Sequence, residues 1–266
     1  MHGIAYDPER DEIIVPNPLA SAILVFRGGA RGEEAPIRVI QGPRTKLIVP
    51  RSLALDLRNK EILVADKRGR AVLVFSKDAK GDVPPLRVIQ GPKTKLDNPI
   101  GLAVDPVTDS LVVANLPRLS SNAQPGLFIF KRTDNGDIAP RAVIAGPKTG
   151  IIAEPWQTHI YGGRIFTAVA NVPRFRLYKL LEPEKASSGD LDLPQWRSDI
   201  LGFIGVWNIT DNGDIPPRAM IRGPVSGLVH PSGLALNTRD GEIMTTDSVR
   251  NGVFTFLMPE LFRESN

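Results

Sequence analysis

A segment of about fifty residues recurs along this chain of 266 residues, and a Gly-Pro turn marks each copy. An arginine and a pair of apolar residues precede every turn, and prolines open the same segment. The four turns are Gly42-Pro43, Gly91-Pro92, Gly146-Pro147 and Gly223-Pro224. Repetition at this period is typical of chains that stack or radially arrange one small structural unit, so it limits the fold more than any other feature does.

Each copy contains four short apolar runs, which we label A to D in chain order. In the second copy these runs cover residues 50–56, 61–66, 71–75 and 87–91. The runs are rich in Val, Ile and Phe and are bounded by Gly, Pro, Asp and Asn, which predicts strands. Helices of this length are marginal, and the intervening prolines break them. Four antiparallel strands in one repeat match a blade of a β-propeller.

Two recurring residue types within the runs have a structural explanation. A glycine in run A is expected where the innermost strands converge on the axis, because a side chain there would collide with the neighbouring blade. An arginine in run D is predicted to bridge to an acidic group of the same or the next blade. The run D arginines are Arg38, Arg87, Arg141 and Arg218.

The runs divide the chain into five blades within a single domain of residues 1–266. The blades are predicted at about residues 2–47, 48–96, 97–150, 151–228 and 229–262. The fourth blade is longer than the others, which indicates an insertion over residues 171–202, and the fifth has no run D. The sequence therefore predicts an all-β, five-bladed propeller of four-stranded antiparallel blades whose last blade lacks its outer strand. A fragment of a six-bladed propeller is the alternative.

A last blade without run D leaves three ways to complete the ring. The chain is part of a larger propeller, the ring closes by packing alone, or the open edge pairs with another chain. Because unpaired strand edges readily accept further strands, the third alternative implies a homodimer through the last blade. Closure by packing is the interpretation that we favour from the sequence.

Composition and charge exclude several classes of function. The chain has no cysteine, which excludes disulfides, zinc–thiolate sites and cysteine catalysis. Its 33 basic and 29 acidic residues are interspersed, so we predict a mixed surface and no nucleic-acid partner. No apolar run approaches the roughly 18 residues of a membrane span. Because the sequence shows no signal peptide, we expect a cytoplasmic protein, or a secreted or periplasmic one if the N-terminus is truncated.

Two stretches resemble the core of the NHL repeat, in which an aspartate closes run B and an apolar strand ending in phenylalanine follows. They are residues 66–75 and residues 247–256. The Pro-x-Gly-Leu-Ala segments at Pro99 and Pro231 resemble the inner strand of the same propeller family. The region after Pro231 is also more weakly similar to gluconolactonase and paraoxonase propellers, which bind a calcium ion on the axis. This sequence has Ser232 where that motif carries asparagine.

Propeller topology predicts where a site would lie. The D-to-A and B-to-C connections share one face, so residues that begin run A line the mouth of the central channel. The predicted ligand-binding residues at the mouth are Arg51, Trp156, Ser232 and His2. Trp156 would stack on a ligand ring or, alternatively, fill space in the core.

The three histidines of the chain are His2, His159 and His230, and all lie at or beside the start of a run A. They belong to blades one, four and five, which are neighbours in a ring. His159 and His230 are candidates for a catalytic general base and acid. Three imidazoles facing one pocket could instead hold a zinc ion with an open position for water. A structural role in turns is the alternative.

The residues that end run B form a predicted second ring outside the mouth. Carboxylate and amide oxygens at Asp66, Asn115 and Asp247 would suit calcium, so one divalent ion, calcium or zinc, on the channel axis is a candidate cofactor. The same residue types commonly accept backbone hydrogen bonds in turns. Their recurrence in several blades favours this structural role over metal binding.

Two functions follow from these predictions. The first is binding of a small molecule or a protein partner at the channel mouth, without catalysis. The second is a metal-dependent hydrolase of the lactonase or phosphotriesterase kind, in which the axial ion activates water. The sequence contains no Gly-x-Ser-x-Gly elbow, P-loop or dinucleotide fingerprint. It leaves open whether the protein is an enzyme.

Overall fold

The computed structural model describes residues 3–118, 124–171 and 201–263. Its strands form five antiparallel sheets, each built from strands that follow one another in the chain. The first three sheets contain β1 (Ala5–Asp7), β2 (Glu12–Asn17), β3 (Ala22–Arg27) and β4 (Arg38–Gln41); β5 (Pro50–Asp56), β6 (Glu61–Asp66), β7 (Ala71–Ser76) and β8 (Arg87–Gln90); and β9 (Pro99–Asp105), β10 (Ser110–Asn115), β11 (Gly126–Lys131) and β12 (Ala142–Ala145). The last two contain β13 (Glu154–Tyr161), β14 (Arg164–Ala170), β15 (Phe203–Asn208) and β16 (Ala219–Ile221); and β17 (Pro231–Asn237), β18 (Glu242–Asp247) and β19 (Gly252–Leu257).

These sheets are the five blades of a β-propeller, which confirms the fold predicted from the repeat. Four blades have four strands, and within the described residues the fifth has three. Short 3₁₀ turns follow the outer strands and β19, at Pro43–Thr45, Pro92–Thr94, Pro147–Thr149, Pro224–Ser226 and Pro259–Leu261. The predicted insertion over residues 171–202 falls almost entirely outside the described residues, and so does His2. No helix in the described part of the chain has the length and apolar character needed to cross a membrane.

The core consists of four apolar clusters, each between two consecutive blades. Blades two and three have a neighbour on both sides, so every residue of β6 and β10 is buried. Strand β2 in the first blade shows the alternating burial of a sheet with one covered face, and β19 alternates between half-buried and exposed residues. The clusters therefore hold the blades together in series.

A repeated clamp joins the outer strands of the first three blades to the blade that follows. Gly81 of the second blade forms a parallel β-bridge with Ile40 of the first, and Gly136 and Gly213 repeat this contact one and two blades later. The aspartate after each of these glycines accepts a hydrogen bond from a backbone N–H of the preceding 3₁₀ turn, at 2.7 Å in all three cases. The clamps are Asp82 to Arg44, Asp137 to Lys93 and Asp214 to Lys148. A Gly-Asp pair therefore joins each of the first three blades to the blade that follows it.

The run D arginines have the bridging role that the sequence predicts, with one change of partner. Arg38 pairs with Glu12, and Arg87 pairs with Glu61 through two hydrogen bonds of 2.7 Å. Arg218 pairs with Asp211 at 2.7 Å. In the third blade the partner is a hydroxyl, because Ser110 stands where the first two blades have glutamate, and Arg141 donates to it.

The first and last blades each keep one face that the clusters do not cover. No apolar cluster among the described residues joins blade five to blade one. Ile4 and Tyr6 are exposed in the first blade, and Val253 and Leu257 are exposed in the last. Among the described residues the outer edge of the last blade is open, and closure of the ring by packing stays a prediction.

Candidate functional site at the channel mouth

The inner strands begin with an irregularity that turns particular side chains toward the mouth. The pairing register shifts just after the first proline of β5 and β17 and after Pro155 in β13. Proline cannot donate to the strand ladder, and such bulges change the direction of the next side chain. The residues that follow these prolines are Arg51, Trp156 and Ser232.

Close approach of the inner strands depends on Gly101. A Cβ atom at this position would lie 1.9 Å from the backbone oxygen of Trp156, which belongs to the next blade. This is the collision that the sequence predicts for the glycine of run A. Because Gly101 has no Cβ atom, β13 can lie against β9 with Trp156 at the mouth.

Arg51 and Trp156 meet at the mouth although they come from blades two and four. The guanidinium carbon of Arg51 lies 5.5 Å from the centre of the Trp156 ring, within the range of a cation–π contact. The two side chains therefore form one surface, as their equivalent places in the repeat predict.

Glu154 and His230 form a second pair in this region. Nε2 of His230 lies 3.5 Å from Oε2 of Glu154, and the His230 side chain is 2% exposed. Nδ1 of His230 lies 2.9 Å from the hydroxyl of Ser248. When that hydroxyl donates to Nδ1, Nε2 carries the proton and faces the carboxylate.

Polar atoms without a partner are concentrated at these strand starts. Among the described residues, ten buried side-chain nitrogen or oxygen atoms have no hydrogen-bond partner, and five of them belong to this one region. The five are Nε of Arg51, Oε2 of Glu154, Nε1 of Trp156, Nε2 of His230 and Oγ of Ser232. Oε2 of Glu154 and Nε2 of His230 face each other at 3.5 Å, which leaves the atoms of Arg51, Trp156 and Ser232 without any neighbour of this kind in the described part of the chain. Since a buried polar atom without a partner costs about 1–3 kcal/mol, this concentration makes the strand starts the candidate site.

The electrostatics of the mouth favour an anion. Burial lowers the pKa of the Arg51 guanidinium, and the nearby Glu154 carboxylate opposes this only in part. Burial also lowers the pKa of Lys67, which follows β6, and the charge of Arg51 lowers it further. The single negative charge of Glu154 therefore does not balance the two positive charges of Arg51 and Lys67. A bound anion would stabilise the charged forms of both side chains.

The sequence placed Arg51, Trp156, Ser232 and His230 near one another; the structure joins Arg51 to Trp156 and His230 to Glu154. It also adds Glu154 and Lys67, which sequence reasoning missed. A signal for Glu154 was present, because it precedes the proline of β13 as His230 precedes the proline of β17. Lys67 gave no such signal, since residues just after run B are chemically varied across the blades.

His159, one of the two candidate acid–base residues, contacts the backbone of the neighbouring inner strand. It lies five residues beyond Glu154 on β13, or roughly 16 Å along an extended strand. Its Nε2 lies 2.7 Å from the backbone oxygen of Leu234 in the next inner strand, and Gln157 accepts a hydrogen bond from the N–H of Leu234 at 3.0 Å. The imidazole thus joins blades four and five within the channel wall.

We expect the free energy of unfolding to fall as the pH drops below about 6.5, because of His159. Burial lowers the pKa of its imidazole, and the hydrogen bond with the Leu234 carbonyl opposes this only in part. The unfolded chain then binds a proton that the folded protein does not, so stability is lost toward acid at up to about 1.4 kcal/mol per pH unit. Urea unfolding at pH 7.5, 6.5 and 5.5 measures the slope. His159→Gln should flatten it, and equal slopes in both proteins would contradict the assignment.

The proposed metal ligands are engaged by the backbone. Asp66 accepts hydrogen bonds from the N–H groups of Ile48, Val49 and Gly69 at 2.7–3.0 Å. Asp247 accepts from four N–H groups in the same way, and the Asn115 side chain accepts from Asp97 at 3.0 Å. Within the described residues no group of three His, Cys, Asp or Glu side chains is arranged to hold a metal ion. These contacts match the structural role that the sequence favoured.

A cleft of about 760 Å³ lies between blades two and three, on the face that carries the B-to-C connections. Arg70, Lys95 and Arg118 line it, together with Asp97. The carboxylate of Asp97 lies 3.2 Å from Arg118 and 3.6 Å from Arg70. Asp97 pairs with two of the three cations, whereas several buried polar atoms at the strand starts have no hydrogen-bond partner, so we take the mouth as the candidate site.

Comparison with known proteins identifies the fold and no family. No family model and no curated protein matches the sequence. A chain in the crystal structure of a nidogen–laminin complex superposes with a TM-score of 0.59 at 16% identity, over 98% of this chain and 81% of that chain. A chain of hydrazine synthase from Kuenenia stuttgartiensis superposes with a TM-score of 0.63 at 14% identity, over 99% and 67%. At these identities the likeness shows a propeller fold, and membership of the NHL family stays a prediction.

Proposed function

We propose that this propeller binds a ligand that carries a carboxylate or phosphate group at the mouth of its channel. The observation that carries the proposal is the set of unpartnered buried donors on Arg51, Trp156 and Ser232, beside the Glu154–His230 pair. Ligand sites typically contain a few convergent polar groups, and these strand starts supply polar groups of that kind.

The chemistry of these atoms describes the ligand. The guanidinium of Arg51, the indole N–H of Trp156 and the hydroxyl of Ser232 can all donate to an anionic group. Glu154 supplies one acceptor, so the ligand is expected to carry a hydroxyl or an amine beside its anionic group. Lys67 adds a second positive charge nearby.

Either a small metabolite or a protein side chain could supply this chemistry. The nidogen–laminin neighbour was crystallised as a complex of two proteins, which favours including protein partners in the search. An aspartate or glutamate on a partner's loop would present the same carboxylate to Arg51. Binding is favoured over hydrolysis because His159, one of the two expected acid–base groups, is engaged with the Leu234 carbonyl.

Arg51→Gln is expected to weaken binding about tenfold or more, because a hydrogen bond to a charged group contributes about 1.5–3 kcal/mol. Calorimetric titration of a panel of hydroxycarboxylates, amino acids, sugar phosphates and inorganic phosphate measures the affinity. Quenching of tryptophan fluorescence that disappears in Trp156→Phe would place the ligand at the mouth.

Arg58→Gln is the matched control, since Arg58 is exposed in the loop between β5 and β6 at the other end of the strands. It should bind like the unmodified protein. Saturable binding that Arg51→Gln leaves unchanged would overturn the proposal, and so would a panel in which no anion binds.

A further inference from the structure

The outer edge of β19 is open within the described residues. In the other four blades the third strand pairs with a fourth, which is β4, β8, β12 or β16. After β19 the chain turns away, and Phe262 stacks on Phe166 of blade four with ring centres 5.6 Å apart. An unpaired edge of this kind presents free backbone donors and acceptors to another strand.

Glu242 of the last blade lacks the arginine that its counterparts bind. Glu12 and Glu61 hold the same position at the start of the second strand, and both are buried against an arginine of the fourth strand. Among the described residues Glu242 accepts a hydrogen bond from Asn237 at 2.7 Å and has no arginine partner. The edge therefore carries a carboxylate positioned for a guanidinium.

Blade four also lacks the clamp that its predecessors receive. The turn glycines Gly42, Gly91 and Gly146 each lie against an aspartate of the following blade. Gly223 has no described atom within 4 Å of its Cβ position, and Val225, whose N–H would meet that aspartate, is fully exposed. Ile221 correspondingly lacks the bridge to glycine that Ile144 makes with Gly213.

One extended segment would fill all of these positions at once. In blade two a single stretch supplies Gly81 and Asp82 to the preceding blade, Arg87 to Glu61, and the four residues of β8 to the edge of β7. The vacant positions in blades four and five have the same order and come from equivalent residues of the repeat.

We infer that the last blade accepts, as its fourth strand, a Gly-Asp-x₄-Arg-Val-Ile type of segment from a partner protein. The segment's aspartate would bind the N–H of Val225, its arginine would bind Glu242, and its backbone would pair with β19 as β8 pairs with β7. This surface is separate from the channel mouth, and the inference does not depend on the proposed ligand.

A peptide that copies residues 80–92, Lys-Gly-Asp-Val-Pro-Pro-Leu-Arg-Val-Ile-Gln-Gly-Pro, tests the inference against the full chain. Calorimetry or fluorescence anisotropy should show saturable binding of one peptide per chain. Changing the peptide's arginine to glutamate, or its aspartate to alanine, should weaken binding tenfold or more. Glu242→Arg in the protein should weaken the original peptide similarly and restore binding of the peptide that carries glutamate.

Glu260→Arg, an exposed acidic position just beyond β19, is the control for general charge effects and should leave the affinity unchanged. Glu242→Gln, which keeps the shape of the side chain, repeats the test if the arginine variant unfolds. Absence of saturable binding would overturn the inference. A dimer in sedimentation that the peptide does not dissociate would also overturn it, since a second copy would then occupy the edge. Binding without charge-swap rescue would show a different mode of contact and would count against it as well.

Discussion

Lys77→Met is expected to lower the free energy of unfolding by about 3–5 kcal/mol, because it breaks a buried ion pair between two blades. The Lys77 side chain is 1% exposed, and its Nζ lies 2.8 Å from Asp7 and 2.7 Å from Glu9. Asp7 is fully buried, so removal of the ammonium leaves a carboxylate in the interior without its cation. Urea unfolding at pH 7 measures the change, and it should appear as a lower midpoint.

Lys80→Met is the control, since Lys80 is exposed in the same loop and its substitution should cost less than about 0.5 kcal/mol. A loss of less than 1 kcal/mol in Lys77→Met would contradict the role of the pair. The pair also has a pH signature. Burial alone would raise the pKa of Asp7, but the hydrogen bond with Lys77 and backbone N–H groups outweigh it and lower the pKa. Its stabilisation is therefore present above about pH 4 and is lost as the pH falls further.

Gly101→Val is expected to lower the free energy of unfolding by roughly 3 kcal/mol or more. The new Cβ would lie 1.9 Å from the Trp156 backbone oxygen, so the inner strands of blades three and four would have to separate. The contact joins the new Cβ atom to a backbone oxygen, so no rotation of a flexible side chain can relieve it. Because Trp156 would move away from Arg51, binding at the mouth should be lost together with stability.

Thermal unfolding and the ligand panel at the channel mouth measure both consequences of Gly101→Val. Gly29→Ala is the matched control, since only the end of the flexible Arg27 side chain lies near its Cβ position. It should unfold and bind like the unmodified protein. A Gly101→Val protein that unfolds at the same temperature as the control would show that the inner strands have more freedom than the contact implies.

The number and order of the blades could be read from the sequence because each blade is built from consecutive strands. The information is local: short apolar runs, turn residues at their ends, and a Gly-Pro turn after each outer strand. The place of the mouth followed from the same repeat, so Arg51, Trp156 and Ser232 could be named before any coordinates. The repeat also predicted that the arginines of the outer strands, such as Arg87, have a structural role.

The partners of these side chains could not be read in the same way. His159 and His230 both lie near the start of an inner strand, yet one is bonded to the wall of the channel and the other faces Glu154. His230 precedes the first proline of β17, as Glu154 precedes that of β13, whereas His159 lies five residues beyond Glu154. The group that His159 meets there depends on how β13 packs against β17, and the apolar pattern does not show that packing.

By itself, then, the sequence determined a five-bladed, all-β propeller with an incomplete last blade, and it located the face on which a site would lie. These properties depend on neighbours in the chain, and a repeat displays them several times over. Only the tertiary structure decided which residues meet at the mouth, because Arg51, Glu154 and His230 come from three different blades. It also decided that, among the residues it describes, Glu242 and the turn at Gly223 lack the partners that the equivalent positions in the first two blades have. Contacts between distant parts of a chain are set by how the blades pack, and the local pattern of residues does not encode that packing directly.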